Sequence, residues 1–350
     1  MEFELAEVNN QNDTSAEDLP QRTIPNSFHV QIQGWENDNE AEARTFGEHI
    51  MELAKEISRY HDLSRLSSVV IGMNYPEALA SVDVGDAMPA ADRTKNEYGE
   101  GGAMSVSIKK DGDLWNTVVI WTGLVRNIND VDHPDHKLAL QTFLHEMIHV
   151  EDQRIFDKTF PGGWQAAKAR DGRDAAMQLI VNPCQSEYSA QRQSAHIAPE
   201  SGLTLLDMLE SAMRDVDDQI TSARRAYRTH GDVERFWTIA RDRLRFLFQA
   251  IGYGLGHADY IASDADKHPE LAKEYANRLE ALSALPKGWL LGACRDAVQP
   301  FFLMKEWTDM TVYDPLEAVL DELLNQYGVF TSLQDGSLYL DMPYNSFAEL

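Results

Sequence analysis

The sequence predicts an α+β fold, in which a small mixed sheet and its helices precede a mainly α-helical C-terminal region. Three observations indicate this class. Apolar runs with strand character lie between residues 69 and 122, and a helix carrying a His-Glu-x-x-His motif follows them. Beyond residue 202, apolar residues recur at helical spacing. We expect the sheet, the motif helix and a later helix carrying Glu187 to form one core.

The N-terminal segment reads as an acidic tail. Residues 1–42 contain ten acidic side chains and a single arginine, Arg22. Apolar residues are too sparse for burial to offset the entropy of ordering, except at residues 24–35, which we expect to form a short strand or to dock. We therefore predict a disordered tail at 1–40, a core at 41–198 and a helical region at 199–350 that ends in a hairpin.

Periodicity and turn signals place the elements of the core. They are a helix at 41–61, a buried strand at 69–73, and strands at 104–108 and 114–122 joined by a hairpin turn at Asp111-Gly112-Asp113. His133-Pro134 predicts the start of the motif helix, because proline is tolerated in a first helical turn. Two further helices are expected at 165–179 and 184–196, with Asn182-Pro183 between them.

The segment Pro199-Glu200-Ser201-Gly202 has the composition of a linker between subdomains. Beyond it, apolar stripes and start signals predict a series of helices that closes with a hairpin. These elements are helices at 205–220, 231–255, 269–282, 290–305 and 315–327, and a hairpin at 329–340.

The charge balance restricts the classes of partner. The chain carries 57 acidic and 31 basic residues, a formal net charge of −26. Such a surface disfavours nucleic acid and anionic membranes, which need a basic face. The excess serves solubility or attracts a basic partner. Two cysteines, no signal sequence and no apolar run of membrane length predict a soluble, cytoplasmic protein.

The motif His145-Glu146-x-x-His149 carries the chemistry. Residues four apart lie on the same face of a helix, so both imidazoles can bind one metal ion. Glu146 lies one position round the helix, where its carboxylate reaches a metal-bound water. The alternative is a pair of partly exposed histidines on a surface helix.

A catalytic zinc needs a third protein ligand. The extension His-x-x-Gly-x-x-His fails, because Asp152 and Ile155 stand at its positions, and Glu151 points to another face. Glu187, 38 residues after His149 on a predicted helix, is the best candidate. The alternatives are His196, Glu200 and a residue of the C-terminal helices.

The order of elements resembles the zincin metallopeptidases, specifically the gluzincin arrangement of two histidines and a glutamate. The string from Thr142 to His149 also resembles the SprT-like proteases, whose third histidine has no counterpart here. This resemblance covers about residues 57–196. It implies His145 and His149 as zinc ligands, Glu146 as general base and a peptide running along an edge strand, here 104–108 or 114–122.

A residue that stabilises the oxyanion of the transition state should come from elsewhere in the chain. Three glycines interrupt the apolar helix at Gly252, Gly254 and Gly256, which indicates close packing against that face. The candidates are His257, Tyr253, Tyr188 and His196, and a core helix contact is the alternative for His257. Asp152 is a candidate to orient a ligand histidine, and Cys184 is expected to be a buried small side chain.

These observations predict a Zn²⁺-dependent metallopeptidase acting on a peptide or protein. Two other classes stay open. One is a regulatory or binding module that keeps the fold without turnover, against which the intact Glu146 argues. The other is a helical interaction protein in which the motif is fortuitous and binds no metal.

Overall fold

The computed structural model describes residues 19–35, 39–84, 95–96, 99–110, 113–159, 169–304 and 307–344. Within these ranges the fold is mixed α+β, mostly helical with a small mixed sheet, as the sequence predicts. Residues 1–18 and 36–38 of the tail predicted at 1–40, and the hairpin turn at Asp111-Gly112, lie outside the described residues. Residues 24–35 contain a strand, as expected.

The N-terminal half is built around a four-stranded sheet. Its elements in chain order are β1 (His29–Gln33), α1 (Glu40–Ile57), β2 (Leu66–Gly72), α2 (Tyr75–Ala80), β3 (Lys95–Asn96), β4 (Gly99–Glu100), β5 (Ala103–Lys110), β6 (Asp113–Trp121), α3 (Thr122–Val125) and α4 (His136–Thr159). The sheet order is β1-β2-β6-β5, and β3 and β4 form a separate two-stranded sheet among the described residues. The pairs β1–β2 and β2–β6 are parallel, whereas β5 and β6 form the predicted antiparallel hairpin.

The sheet order decides between the two strands expected to carry a substrate. β6 pairs with β2 on one side and β5 on the other, so it is an interior strand. β5 lies at the edge of this sheet in the described chain. Of the two strands, β5 at 103–110 therefore lies at an edge of the described sheet, whereas β6 at 113–121 has a neighbour on either side.

The C-terminal half is helical and ends in a hairpin, as the periodicity predicts. Its elements are α5 (Gly172–Ser194), α6 (Gly202–His230), α7 (Val233–Ser263), α8 (Pro269–Ser283), α9 (Trp289–Leu303), α10 (Asp314–Gln326), β7 (Phe330–Gln334) and β8 (Ser337–Asp341). Asp232 caps α7, accepting a hydrogen bond from the Arg235 amide. No described helix combines the length and the apolar character needed to cross a membrane.

α5 corrects the prediction of two separate helices. It runs without interruption through Pro183, which lies in its interior. A proline inside a helix removes one hydrogen bond, to the carbonyl four residues earlier. That carbonyl belongs to Leu179, and it instead accepts a hydrogen bond from Arg245 Nη1 at 2.6 Å. Tertiary packing thus compensates for Pro183, the residue on which the predicted break between two helices was based.

Two large hydrophobic clusters meet at α5. The N-terminal cluster joins α1, one face of the sheet and α4, and includes Ile50, Ile71, Ile120, Phe143 and Met147. The C-terminal cluster joins α5 to α10 and includes Ile180, Leu209, Leu247, Leu291 and Leu320. Ala190 of α5 belongs to the N-terminal cluster, while most buried apolar residues of α5 belong to the other. α4 and α5 therefore bring the two clusters together.

The glycines of α7 allow a close approach to α5, as their spacing predicts. A Cβ atom on Gly252 would lie 2.4 Å from the carbonyl oxygen of Cys184, and one on Gly256 would lie 2.5 Å from that of Tyr188. Both distances are far below van der Waals contact, and both partners are backbone atoms. Any side chain at these positions would push α7 away from the stretch of α5 that carries Glu187.

Candidate metal centre

The motif helix presents both histidines to α5. His145 and His149 lie one turn apart on α4, and Glu187 lies midway along α5. His145 is 7% exposed and Glu187 9% exposed, so the group is almost withdrawn from solvent. The hydrophobic packing of the two helices buries three polar side chains together, which is costly unless they hold one another or an ion.

Three potential ligand atoms converge. His145 Nε2 lies 3.1 Å from His149 Nε2 and 3.1 Å from Glu187 Oε2, and His149 Nε2 lies 3.3 Å from Glu187 Oε2. Ligands about 2.1 Å from a tetrahedral zinc ion lie roughly 3.4 Å from one another. The three measured separations are close to that value, so His145, His149 and Glu187 form a buried group that could bind a metal ion.

Neighbouring side chains orient two of the three groups. Ser186 Oγ lies 3.1 Å from His149 Nδ1, the ring nitrogen that faces away from the cluster. Gln249 Nε2 of α7 donates to Glu187 Oε1 at 2.9 Å, which leaves Oε2 for the cluster. Such outer contacts are typical of metal ligands, because they fix the ring and the carboxylate. His145 Nδ1 is buried and has no hydrogen-bond partner among the described residues.

The charges within the group favour an ionised glutamate. Burial alone would raise the pKa of Glu187, but the two histidines hold it well below its usual range. Burial alone would lower the pKa of His149, but Glu187 raises it to about 9. Without metal, a proton on His149 therefore partly neutralises Glu187. A metal ion would replace that proton, since ligand histidines must be neutral.

Glu146 lies beside the group without belonging to it. It is 7% exposed, and its Oε2 has no hydrogen-bond partner among the described residues. Burial raises the pKa of Glu146, although the two motif histidines oppose that shift. A carboxylate with an unengaged oxygen and a raised proton affinity can accept a proton from a water molecule placed between it and the ligand group.

A cavity of about 510 Å³ opens over these residues. β5 forms one wall through Ala103, Met104 and Ser105, and α7 forms another through Arg245, Gln249 and Tyr253. The motif residues and Glu187 line the part that we call its floor. The cavity is therefore lined both by an edge strand of the described sheet and by polar side chains of α7.

Of the four residues predicted as oxyanion stabilisers, Tyr253 alone lines this cavity. Its ring centroid lies 6.0 Å from that of His145, and its hydroxyl accepts a hydrogen bond from Gln249 at 3.2 Å. Burial, with the charges of Glu187 and Glu146, raises the pKa of Tyr253 well above its usual value. The phenol therefore keeps its proton and can donate it in a hydrogen bond.

The other three candidates are engaged elsewhere. His257 is fully buried, stacks on Tyr275 and contacts the carbonyl oxygen of Pro199 at 2.8 Å, as expected of a core histidine. Tyr188 donates to Asp259 at 2.6 Å. His196 Nδ1 lies 2.9 Å from the backbone oxygen of Gln193. None of them lies with the described lining residues of the cavity.

The remaining acidic candidates are also placed outside the ligand group. Glu151 contacts His61 Nδ1 at 2.8 Å, on another face of α4 as predicted. Glu200 is exposed in a short 3₁₀ helix, Pro199–Ser201. Asp152 is buried and accepts a hydrogen bond from Ser189 at 3.4 Å, and the side chain that contacts His149 Nδ1 is Ser186. Burial raises the pKa of Asp152 to about 7.

Sequence reasoning did not identify Ser186, Gln249 or Arg245. Ser186 precedes Glu187, and Gln249 and Arg245 lie four and eight residues before Tyr253, on the same face of α7. That spacing was the available signal, but it has meaning only once Tyr253 is known to face the motif. Comparisons with models of known protein families, with curated proteins and with solved structures give no match to this chain.

Proposed function

We propose that this protein is a zinc-dependent metallopeptidase that hydrolyses peptide bonds. The observation that carries the proposal is the convergence of three nearly equidistant ligand atoms on the floor of a cavity, with Glu146 beside them. Two histidines and a carboxylate are a common ligand set for catalytic zinc. The zincin-like core suggested by the motif is part of the same proposal.

Each residue of the site would have its own role in this reaction. His145, His149 and Glu187 would hold the ion, which when bound lowers the pKa of a coordinated water and polarises a carbonyl. Glu146 would accept the proton of the attacking water and return it to the leaving amine. The unengaged Oε2 of Glu146 and its raised pKa support both roles.

Two features support a peptide as the substrate. The edge strand β5 lines the cavity through Met104 and Ser105, and an extended peptide can add to such an edge through main-chain hydrogen bonds. Tyr253 faces the same space and would donate a hydrogen bond to the developing oxyanion. The cavity of about 510 Å³ is large enough for a few side chains.

The test combines metal analysis with peptide cleavage. Purified wild-type protein should contain about one zinc ion per chain and should cut peptides from a proteome digest, with the cuts read by mass spectrometry. Glu146→Gln should keep the metal and lose cleavage. Glu187→Gln should lose much of the metal. Glu200→Gln, a matched change at an exposed glutamate, should keep both the metal and the cleavage activity.

Two results would reject parts of the proposal. A chain that takes up no zinc even on reconstitution is not a metallopeptidase. Zinc retained by wild type, with no cut that Glu146→Gln abolishes, would instead indicate a module that binds metal or peptide without turnover. Normal zinc content in Glu187→Gln would remove Glu187 from the ligand set alone.

A further inference from the structure

Arg245 lies on the wall of the cavity, one helical turn from Gln249. The described lining of the cavity includes three glutamates, Glu100, Glu146 and Glu187, and Arg245 is its single arginine or lysine. The structure shows no ion pair between Arg245 and any described carboxylate. The negative charges of Glu187 and Asp242 act on this guanidinium without pairing with it, so its hydrogen-bond donors remain available to a carboxylate of a bound molecule.

The fold fixes the position of this guanidinium. Nη1 of Arg245 donates to the carbonyl oxygen of Leu179 at 2.6 Å. That carbonyl is available because Pro183, four residues later in α5, has no amide hydrogen to offer it. The Leu179 carbonyl oxygen, which Pro183 leaves without a helical hydrogen bond, therefore holds one edge of the guanidinium. The anchored side chain remains exposed towards the cavity.

The distance from the ligand group suits a peptide. Arg245, Gln249 and Tyr253 lie on one face of α7, and eight residues of helix rise about 12 Å. Gln249, which binds Glu187, and Tyr253, which lies next to the histidines, are therefore roughly 6 and 12 Å along α7 from Arg245, so a distance on the order of 10 Å separates Arg245 from the ligand group. About three residues of extended peptide span that length. Phe246 and Met208 add apolar surface to the same wall.

We propose that Arg245 binds a carboxylate of the substrate, within a few residues of the bond that is cut. This inference rests on the proposed peptidase function and adds a substrate class to it: peptides that carry a C-terminal carboxylate or an acidic side chain at that position. Arginine suits the role, because its planar fork binds carboxylates through two parallel hydrogen bonds.

The experiment compares matched peptide pairs. The best-cut peptides, chosen because Glu146→Gln abolishes their cleavage, are resynthesised in two forms. In one pair the C-terminal carboxylate becomes an amide, and in the other an internal Asp or Glu becomes Asn or Gln. Wild-type protein should prefer the carboxylate member of one pair by about tenfold to a hundredfold in kcat/KM, the range for a charge-assisted hydrogen bond. The pair that responds identifies the source of the carboxylate.

Variants assign the preference to Arg245. Arg245→Gln should abolish it, and Arg245→Lys should retain part of it. Arg241→Gln, on the same helix but paired with Asp242 outside the described cavity lining, should leave it unchanged. Because Arg245 also holds the Leu179 carbonyl, thermal unfolding of each variant is measured, and Arg245→Lys serves if the glutamine variant does not fold.

A readout without turnover separates this inference from the proposed function. Fluorescence anisotropy with Glu146→Gln protein should show weaker binding of the amide or uncharged member, and Arg245→Gln should remove the difference. Cleavage without discrimination between members of either pair, or an equal loss for both members in Arg245→Gln, would overturn the inference and leave the peptidase. Absence of any Glu146-dependent cut would overturn the peptidase. The anisotropy comparison would then use peptides of the same digest in the same paired forms, and carboxylate-selective binding through Arg245 would still support the ligand class.

Discussion

The hydroxyl of Tyr253 faces two carboxylates and an amide, and this environment determines what it can donate. Gln249 Nε2 donates to it, while Glu187 and Glu146 raise its pKa. A tyrosine held in its protonated form beside the ligand group suits stabilisation of a developing negative charge. Tyr188, in contrast, has its hydroxyl bound to Asp259 in another part of the chain.

Tyr253→Phe should lower kcat by about a hundredfold to a thousandfold with little change in KM. The reason is that the hydrogen bond to the oxyanion is made in the transition state only. Steady-state kinetics on a peptide cut by wild type provide the measurement, and zinc content should not change. Tyr188→Phe is the matched control and should leave kcat near the wild-type value; equal losses in both variants would argue against a specific role for Tyr253.

The residues of the site differ in how far the sequence could reveal them. His145, Glu146 and His149 were recognisable because all three lie within two turns of a single helix, whose geometry fixes their relative positions. Glu187 could be proposed because a catalytic zinc needs a third protein ligand. Gln249 could not be inferred, because its contact with Glu187 depends on which face of α7 packs against α5. No local sequence pattern indicates that face.

At the scale of the elements, the contact between α5 and α7 fixes where Glu187 stands. Gly252 and Gly256 have no room for a Cβ atom, because the backbone of α5 fills that space. Gln249 and Tyr253 lie on the same helix and reach Glu187 and the cavity from there. The spacing of the two helices therefore sets the positions of Glu187 and of its neighbours.

Gly252→Ala and Gly256→Ala should each destabilise the protein by about 1–3 kcal/mol, the range for overpacking, and should weaken zinc retention. Gly292→Ala is the matched control, because Gly292 lies in α9 with nothing within 4 Å of its added methyl group. That change should stabilise the protein by about 0.5–1 kcal/mol through helix propensity. Urea unfolding measures the free energy of unfolding of all three variants. Stabilisation by alanine at 252 or 256 would show that α5 and α7 do not pack this closely.

Helix prediction succeeded where stripes were uninterrupted and was wrong at α5. The apolar residues Leu205, Leu209, Met213, Val216 and Ile220 lie in a single helix, α6, as predicted, although α6 continues beyond the predicted end at 220 to His230. Pro183 favoured a break, yet α5 continues through it, because Arg245 satisfies the carbonyl that proline leaves unpaired. Local helix propensity takes no account of a distant hydrogen-bond donor. Here the donor is Arg245, which lies 62 residues after Pro183 in the chain.

At the scale of the whole molecule, a charged cluster ties the start of α5 to the start of α10. Arg170 Nη2 lies 2.6 Å from both Asp174 and Asp314, and 3.9 Å from Glu317. Arg173 also approaches Glu317, at 3.9 Å. Burial and the charge of Asp174 raise the pKa of Glu317 to about 8. The two arginines already provide the positive charge that these carboxylates need.

This raised pKa should make stability depend on pH. The folded chain binds the Glu317 proton more tightly than the unfolded chain does, because the pKa of this side chain is near 4.5 in the unfolded chain. The resulting stabilisation is complete below about pH 4.5 and is lost as pH rises through about 8. Glu317→Gln should therefore lose less stability than wild type between pH 5 and pH 8, in urea unfolding at both pH values.

Glu322→Gln, a change at an exposed glutamate of the same helix, is the control for that comparison. It should follow the wild-type pH dependence. If Glu317→Gln does so as well, Glu317 is ionised in the folded protein at neutral pH, and the cluster is a network of ordinary ion pairs.

The position of the ligand group between two hydrophobic clusters has a consequence for unfolding. His145 and His149 belong to a helix of the N-terminal cluster, whereas α5 is anchored mainly in the C-terminal cluster. An ion bound to all three side chains would be released when either cluster opens, so its binding energy would couple both. At a hundred times its dissociation constant, a ligand adds about 2.7 kcal/mol to folding by mass action. A chelator would then convert one cooperative transition into two successive ones, with the helical half and the sheet half melting separately.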